Sequence, residues 1–316
     1  MAASSNSLAA FRERLAEICG PAAPSVLRSM GCPKRQAYWL NPLVARPPDF
    51  EPFGEPVPGL EAMYNVGPDK RESVTRHRGA LAGWMYPLNP SSMLAVVALA
   101  PGPHEEILDL AAAPGGKTVA LAARMGNSGR IAAVEPVRGR FHRLRANLDR
   151  CGVSNTQLYL ADGRGIGRKV PERFDRVLLD APCSSEARMR LDDKATHAHW
   201  KPRKIREASA KQTGLLRSAW RALKPGGVLV YCTCSFAPEE NELVVNRLLK
   251  AESGAAPEPL DFADVPRQAG LTAWRGRECD PRLARAVRVL PDDLWDGFFV
   301  CRIRKNGPPG RSNRQD

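Results

Sequence analysis

The stretch from about residue 107 onward constrains this chain most, because short apolar runs alternate there with helical stretches and the first four runs meet an acidic residue. ILDL (107–110) leads through a glycine-bearing turn into a helical stretch ending near Arg124. IAAVE (131–135) reads as the next strand and VRGRFHRLRANLDRCG (137–152) as the next helix. QLYLA (157–161), FDRVLLD (174–180), VLVYC (228–232) and GFFVCRIRK (297–305) follow as strands. Helices are expected over about 204–223, stopped by Lys224-Pro225-Gly226-Gly227, and over PEENELVVNRLLK (238–250). Nearly continuous apolar strands separated by helices are the pattern of a parallel sheet buried on both faces.

The upstream third is different. Leu8, Phe11, Leu15 and Ile18 recur at helical spacing, and Gly20-Pro21 is expected to end that helix. Residues 20–60 are rich in proline and read as loops with short strands such as QAYWLNPL (36–43). Ser91 is placed to cap a helix through SSMLAVVALA (91–100). The expected division is an N-terminal extension over 1–82, an α/β domain over 83–305 and a disordered tail over 306–316.

With 316 residues, 43% of them hydrophobic, the chain can bury one sizeable core and a smaller appendage. Charges interrupt every apolar stretch before it could span a bilayer. The start, MAASSNSLAAFRER, lacks the pattern of a secretory signal. An intracellular protein follows, cytoplasmic by default, with a mitochondrial transit peptide as the alternative. The eight cysteines form no CxxC pair and no zinc-ligand spacing, so neither disulfides nor a metal is expected. The net charge of +13 is uneven, and residues 191–230 hold nine basic side chains against three acidic ones. That excess is densest in KPRKIREASAK (201–211) and suits a polyanionic partner.

DLAAAPGGKT (109–118) joins the first strand to the first helix, where glycines let backbone approach a ligand closely. Neither a Walker sequence nor GxGxxG is present. Glu135, Asp162 and Asp180 lie at the ends of the next three strands. Acids along one sheet edge beside such a loop suit a ligand with a cationic centre and a ribose diol, as in S-adenosylmethionine. DAPCSS (180–185) then follows the fourth strand and YCTCSF (231–236) the fifth, so Cys183 and Cys234 can face each other across the crevice. A thiolate is a competent nucleophile. Added to carbon 6 of cytosine, it turns the ring into an enamine whose carbon 5 can take up a methyl group, and a base must afterwards remove the proton there. Two cysteines beside an acid meet those demands. An amino-methylating enzyme would instead carry an Asn/Asp-Pro-Pro-Tyr/Phe sequence where this chain reads DAPC.

The chain resembles the Sun (Fmu) family of RNA 5-methylcytosine methyltransferases. The likeness rests on DLAAAPGGKT, DAPCS, the Trp200–Gln212 region, LKPGGVLVYCTCSFAPEENE (223–242), RVLPDDLWDGFFVCRIRK (288–305) and the approach GWMYPLNPSSMLAVVAL (83–99). It implies a Rossmann-like methyltransferase fold, α/β, with a seven-stranded mostly parallel sheet, one strand antiparallel, helices on both faces and a small N-terminal extension that grips RNA. It implies Cys234 as the attacking cysteine, Cys183 as the one that assists release, and Asp180 at the cytosine ring edge. S-adenosylmethionine would be held by Ala111, Ala112, Ala113, Pro114, Gly115, Gly116, Lys117, Glu135, Arg140, Asp162 and Asp180. The partner would be rRNA or tRNA, with a ribosome-assembly partner beside it.

DNA cytosine methyltransferases use the cysteine of a Pro-Cys motif as nucleophile, a role Cys183 could fill, but the presence of both cysteines favours the RNA family. A catalytically silent RNA binder in ribosome assembly is the other reading, opposed by the intact pair. A small-molecule methyltransferase is opposed by the mid-chain basic excess. The chain departs from the family at Cys183-Ser184-Ser185-Glu186-Ala187, where members commonly read CSGxG. Losing both glycines is expected to stiffen that loop. Cys232 reads as a core residue and Trp200 as packing, and no role falls to His104, His142, His197 or His199.

Overall fold

The computed structural model describes residues 2–198 and 200–307, with side chains of the first helix from Leu8 on. His199 and the expected tail beyond Gly307 lie outside the described residues. The chain opens with helices α1 (Ala2–Cys19) and α2 (Ala23–Met30), joined by one turn at Gly20–Ala22. The expected stop at Gly20-Pro21 is therefore a bend. Pro24 falls in the first turn of α2, where its missing N–H breaks no helical bond.

Next come β1 (Gln36–Leu40), β2 (Glu55–Pro56), β3 (Met63–Val66), α3 (Arg71–Thr75), α4 (Arg78–Ala82) and β4 (Met85–Pro87). The four strands form a small antiparallel sheet in the order β2-β3-β1-β4. Because β4 lies beyond residue 82 and leads straight into α5 (Pro90–Leu99), the small sheet crosses the expected division of the chain. Asn89, not Ser91, caps α5: its side chain accepts from the Ser91 N–H at 2.8 Å. Phe11, Leu15 and Ile18 of α1 are buried in the same apolar cluster as Trp200 and Leu243, so the first helices pack against the main sheet.

The main domain continues with β5 (Glu106–Asp109), α6 (Gly116–Arg124), β6 (Arg130–Val134), α7 (Arg138–Arg150), β7 (Thr156–Tyr159), α8 (Ile166–Lys169) and β8 (Phe174–Asp180). After α9 (Lys194–His197) come α10 (Pro202–Ala222), β9 (Leu223–Thr233), α11 (Glu242–Ala251), β10 (Ala255–Glu258) and β11 (Arg267–Ala269). A hairpin of β12 (Ala273–Trp274) and β13 (Arg277–Glu278) precedes β14 (Val287–Val289) and β15 (Phe298–Lys305). Strands β7, β6, β5, β8 and β9 are parallel, and β15 runs antiparallel beside β9.

The sheet has nine strands, not the expected seven. The far edge of β15 is shared by two short strands, β14 along Phe298–Val300 and β10 along Arg302–Lys305, with β11 outside β14. These additions are three or four residues long in a proline- and charge-bearing stretch, too short for a period-two signal. Helices α5, α6 and α7 cover one face, and α10 and α11 with α1 and α2 the other. The chain order reverses between β5 and β8, which opens a crevice at the carboxyl ends of the strands. No helix among the described residues is long and apolar enough to cross a membrane.

Candidate active site

The loop after β5 is pinned on both sides: the Leu110 N–H donates to Leu178 O at 3.0 Å and the Ala112 N–H to Val134 O at 3.0 Å. Gly115 caps α6 with φ of 114°, a conformation only glycine adopts freely. From α7, the Arg140 guanidinium donates to Ala113 O at 2.7 Å and fixes the far wall. The resulting crevice, about 320 Å³, is lined by Ala111, Ala113, Pro114, Lys117, Arg140 and Asp180 on this side, and by Cys183 and Cys234 opposite. Ala112 and Gly116 line an adjoining cavity of about 180 Å³ with Asp109. Gly115 lines neither and acts through its backbone turn.

The four acids at the strand ends differ in their surroundings. Asp109 is buried and accepts from Thr118 Oγ1 at 2.7 Å; burial pushes its pKa up to about 6 against that hydrogen bond. Glu135, one residue past β6, is 1% exposed. Its Oε1 accepts from the Val137 N–H at 2.9 Å, whereas its buried Oε2 has no hydrogen-bond partner and lies 3.6 Å from Arg140. A buried acceptor left without a donor is costly, and a ribose hydroxyl would supply one. Asp180 accepts from Lys117 Nζ at 2.7 Å. Burial works to lower the Lys117 pKa, yet Asp180, with Cys232 and Cys234 behind it, keeps it raised. Asp162 lies three residues past β7, accepts from Arg164 Nη2 at 2.6 Å and is half exposed. Neither Asp162 nor the buried Glu135 is among the residues that line the crevice or the cavity adjoining it. The orphaned Glu135 oxygen, the pinned backbone loop and the acids along the edge fit S-adenosylmethionine.

Cys183 and Cys234 leave the sheet together because Asp180 of β8 stands opposite Cys232 of β9. The Ala181 N–H donates to Cys232 O at 2.9 Å and the Ala187 N–H to Cys234 O at 3.1 Å, so the two loops are zipped beyond their strands. Their sulfurs are 3.4 Å apart. Cys234 is held below the ordinary thiol range, first by the hydrogen bond from Cys183 and then, against burial, by attraction to Arg188. Cys183 is pushed well above that range by the same bond and by burial. The pair is thus divided into a thiolate-ready sulfur and a retained thiol.

Behind the thiols a buried polar network locks the loops. Glu240 accepts from the Ser184 N–H and from Gln212 Nε2, each at 2.9 Å, and from Ser235 Oγ at 2.8 Å. Glu186 accepts from Trp200 Nε1 at 2.7 Å and from the Phe236 and Ala237 N–H groups at 3.1 and 2.9 Å. Trp200 is therefore an anchor, packed edge-on to Phe11. Gly297 completes the fit, since a Cβ there would come within 2.5 Å of the Phe236 ring. Cys232 is fully buried, its sulfur 3.6 Å from Asp180 Oδ1.

Several lining residues were not singled out from the sequence: Asn89, Ser92, Arg188, Asp296 and Phe298. Asp296 and Phe298 sit inside the DGFF sequence, and Arg188 five residues past Cys183, but nothing local marks them as facing the crevice. Among the described residues no group of three or more His, Cys, Asp or Glu is placed to hold a metal ion.

A parallel sheet with a crevice at its switch point, a glycine-turn loop, a buried strand-end acid and a facing cysteine pair define a methyltransferase-type α/β fold. The chain belongs to the 16S rRNA methyltransferase RsmB/F family, whose model matches residues 96–304. It is 40% identical over 293 residues to the ribosomal RNA small subunit methyltransferase F of Erwinia tasmaniensis, an alignment covering 88% of this chain and 59% of that one. With the protein of that name from Pectobacterium carotovorum it is 42% identical over 271 residues, 82% of this chain and 54% of the other. The chain thus spans little more than half the length of these curated relatives. Among solved structures it superposes on a methyltransferase homolog protein from Pyrococcus horikoshii with a TM-score of 0.78 and 32% identity, covering 93% of this chain and 94% of that one. NSun6 from Pyrococcus horikoshii, at 21% identity and a TM-score of 0.72, covering 94% of this chain and 98% of that one, shares the fold.

Proposed function

We propose that this chain is an RNA cytosine-C5 methyltransferase acting on small-subunit rRNA, with S-adenosylmethionine as methyl donor and Cys234 as nucleophile. The observation that carries the reading is the pair of sulfurs 3.4 Å apart at the crevice, one favouring the thiolate and the other the thiol. Other methyl transfers have no use for such a pair. The names of the relatives support rRNA as substrate. A second groove of about 600 Å³ supports a polyanion: it shares Asn89, Arg188 and Asp296 with the crevice and is also lined by Lys34, Arg71 and Arg190. It runs between the small sheet and the loop after Cys183, which supports a part for the N-terminal region in gripping RNA.

The chemistry follows from the residues. The Cys234 thiolate forms a bond to carbon 6 of cytosine, and the electron pair of the 5,6 double bond moves to carbon 5. Asp180, held by Lys117, offers its second oxygen to the ring edge. S-adenosylmethionine supplies the electrophilic methyl. Once Cys234 is a neutral thioether, the charge that kept Cys183 protonated is gone. Cys183 can then lose its proton to solvent and take the one on carbon 5. The pair left behind re-forms the double bond, and Cys234 departs as the thiolate.

The two cysteines therefore fail differently when replaced. With unmodified small-subunit rRNA, Cys234→Ala gives neither methylation nor adduct. Cys183→Ala transfers one methyl and stalls, leaving an enzyme–RNA band on a denaturing gel that the added Cys234→Ala removes. An adduct formed by the Cys234→Ala protein would overturn the assignment in favour of Cys183 as nucleophile. No adduct from any variant, and no methylation by the wild type, would mean a silent RNA binder.

A further inference from the structure

Ser185 stands two residues past Cys183, where the family resembled in sequence carries glycine. Its backbone has φ of 58° and ψ of 34°, the left-handed region that L-residues avoid. Such a conformation persists where the surroundings enforce it. Here Ser185 O accepts from the Arg188 N–H at 2.9 Å, and the next N–H but one, of Ala187, is committed to Cys234 O. A serine in a turn normally returns its hydroxyl to nearby backbone. Ser185 does not: its Oγ lies 3.6 Å from Cys234 Sγ and 3.9 Å from Cys183 Sγ, and it makes no other hydrogen bond among the described residues.

We propose that Ser185 is a third member of the reacting set, its hydroxyl bonded to the Cys234 sulfur so that it holds negative charge there both before attack and as the sulfur leaves the base. The proposal rests on the reading of Cys234 as nucleophile. Other charged and titratable groups face that sulfur. Cys183 and Arg188 come from the loop of Ser185, Asp180 from the end of β8 and Lys117 from α6, and Asp296, from the turn before β15, lines the same crevice. Arg188 and Lys117 favour the thiolate, and Asp180 opposes it. Among the neutral groups, Cys183 and Ser185 have hydrogen-bonding atoms against the sulfur. In the thiol form the Cys234 S–H donates to Ser185 Oγ; once that proton is lost the hydroxyl can turn its own proton to the sulfur, so the thiolate accepts from the Cys183 S–H and the Ser185 O–H. When Cys234 becomes a thioether it is a weak acceptor, and the hydroxyl can turn to Cys183. As the carbon–sulfur bond breaks, the charge returns to Cys234 with the serine donor already beside it. The left-handed backbone that a glycine would occupy without strain is, in this chain, what aims the hydroxyl.

Peptide-resolved alkylation of Cys234 by iodoacetamide across pH, on the full chain, tests this without any RNA. Ser185→Gly relaxes the backbone and removes the hydroxyl. Ser185→Asn tolerates the left-handed region and restores a donor. The alkylation midpoint rises by about one pH unit in Ser185→Gly and returns most of the way in Ser185→Asn. In a single-turnover chase with rRNA, the adduct of Ser185→Gly breaks down roughly tenfold more slowly. An unchanged midpoint in Ser185→Gly, or identical profiles for the two variants, overturns the proposal, because a serine serving only the loop's shape would behave so. If the midpoint shifts while wild type methylates no RNA, the methyl-transfer reading fails and the hold of Ser185 on the thiolate stands.

Discussion

Glu135→Gln is the perturbation that best isolates the cofactor wall. The two carboxylate oxygens already have different duties: Oε1 is occupied by the Val137 N–H at 2.9 Å, and Oε2 is buried, without a hydrogen bond, and ion-paired at 3.6 Å with the Arg140 guanidinium. Glutamine can keep its oxygen on Val137, which places its NH₂ where Oε2 was. That group cannot accept a ribose hydroxyl, and it faces a cation. One charge-assisted hydrogen bond is worth about 1.5–3 kcal/mol, so S-adenosylmethionine should bind roughly 10- to 100-fold more weakly. The ligand-free protein should lose little stability, because the change removes an acceptor without a hydrogen bond and only a 3.6 Å ion pair to a partly exposed Arg140. Alanine is the harsher control, since it also strands the Val137 N–H. Calorimetric titration with S-adenosylmethionine, paired with thermal melts, reads both effects. Unchanged affinity in Glu135→Gln at an unchanged melting temperature would refute the reasoning and remove Glu135 from the ribose site.

Three further outcomes follow from the geometry. The Cys234 thiolate is the reactive form, so methylation should fall as pH drops through its lowered pKa; Arg188→Gln removes an attraction that lowers it, and the acid limb of the pH–rate profile should move to higher pH. Arg288 and Glu242, 4% and 1% exposed, form a two-pronged pair that also reaches Phe236 O at 2.9 Å behind the Cys234 loop, and Arg288→Ala should cost about 3–5 kcal/mol in denaturant unfolding by leaving a buried charge unpaired. Reversing the charges of the exposed Lys201, Arg203 and Lys204 should weaken RNA binding and flatten its salt dependence while leaving S-adenosylmethionine affinity intact, and filter binding across a salt series checks it.

The legible parts of this molecule are those whose signal is local. FDRVLLD reads as a buried strand and is β8 residue for residue. The cysteines could be paired because each lies just past one of two successive apolar runs, and in a parallel sheet such runs tend to be neighbours. The parts that escaped depend on direction and on distant partners. Glu135 and Asp162 look alike in sequence, each an acid at a strand end, yet Asp162 has Arg164 two residues on and is bound outward by it. Glu135 has Arg140 a turn away and stays buried with one oxygen free. Nothing in the sequence near Glu186 or Glu240 shows that they share the Ser235 hydroxyl. That meeting exists only once β8 and β9 have paired and α10 has delivered Gln212 and the nearby Trp200. Ser185 shows the same limit from the other side. The missing glycine was visible and suggested a stiffer loop; the structure shows the Ser185 backbone in the left-handed region where glycine would sit freely. What the sequence could not show is where a side chain points when it is forced through that conformation, and here it points at the two sulfurs.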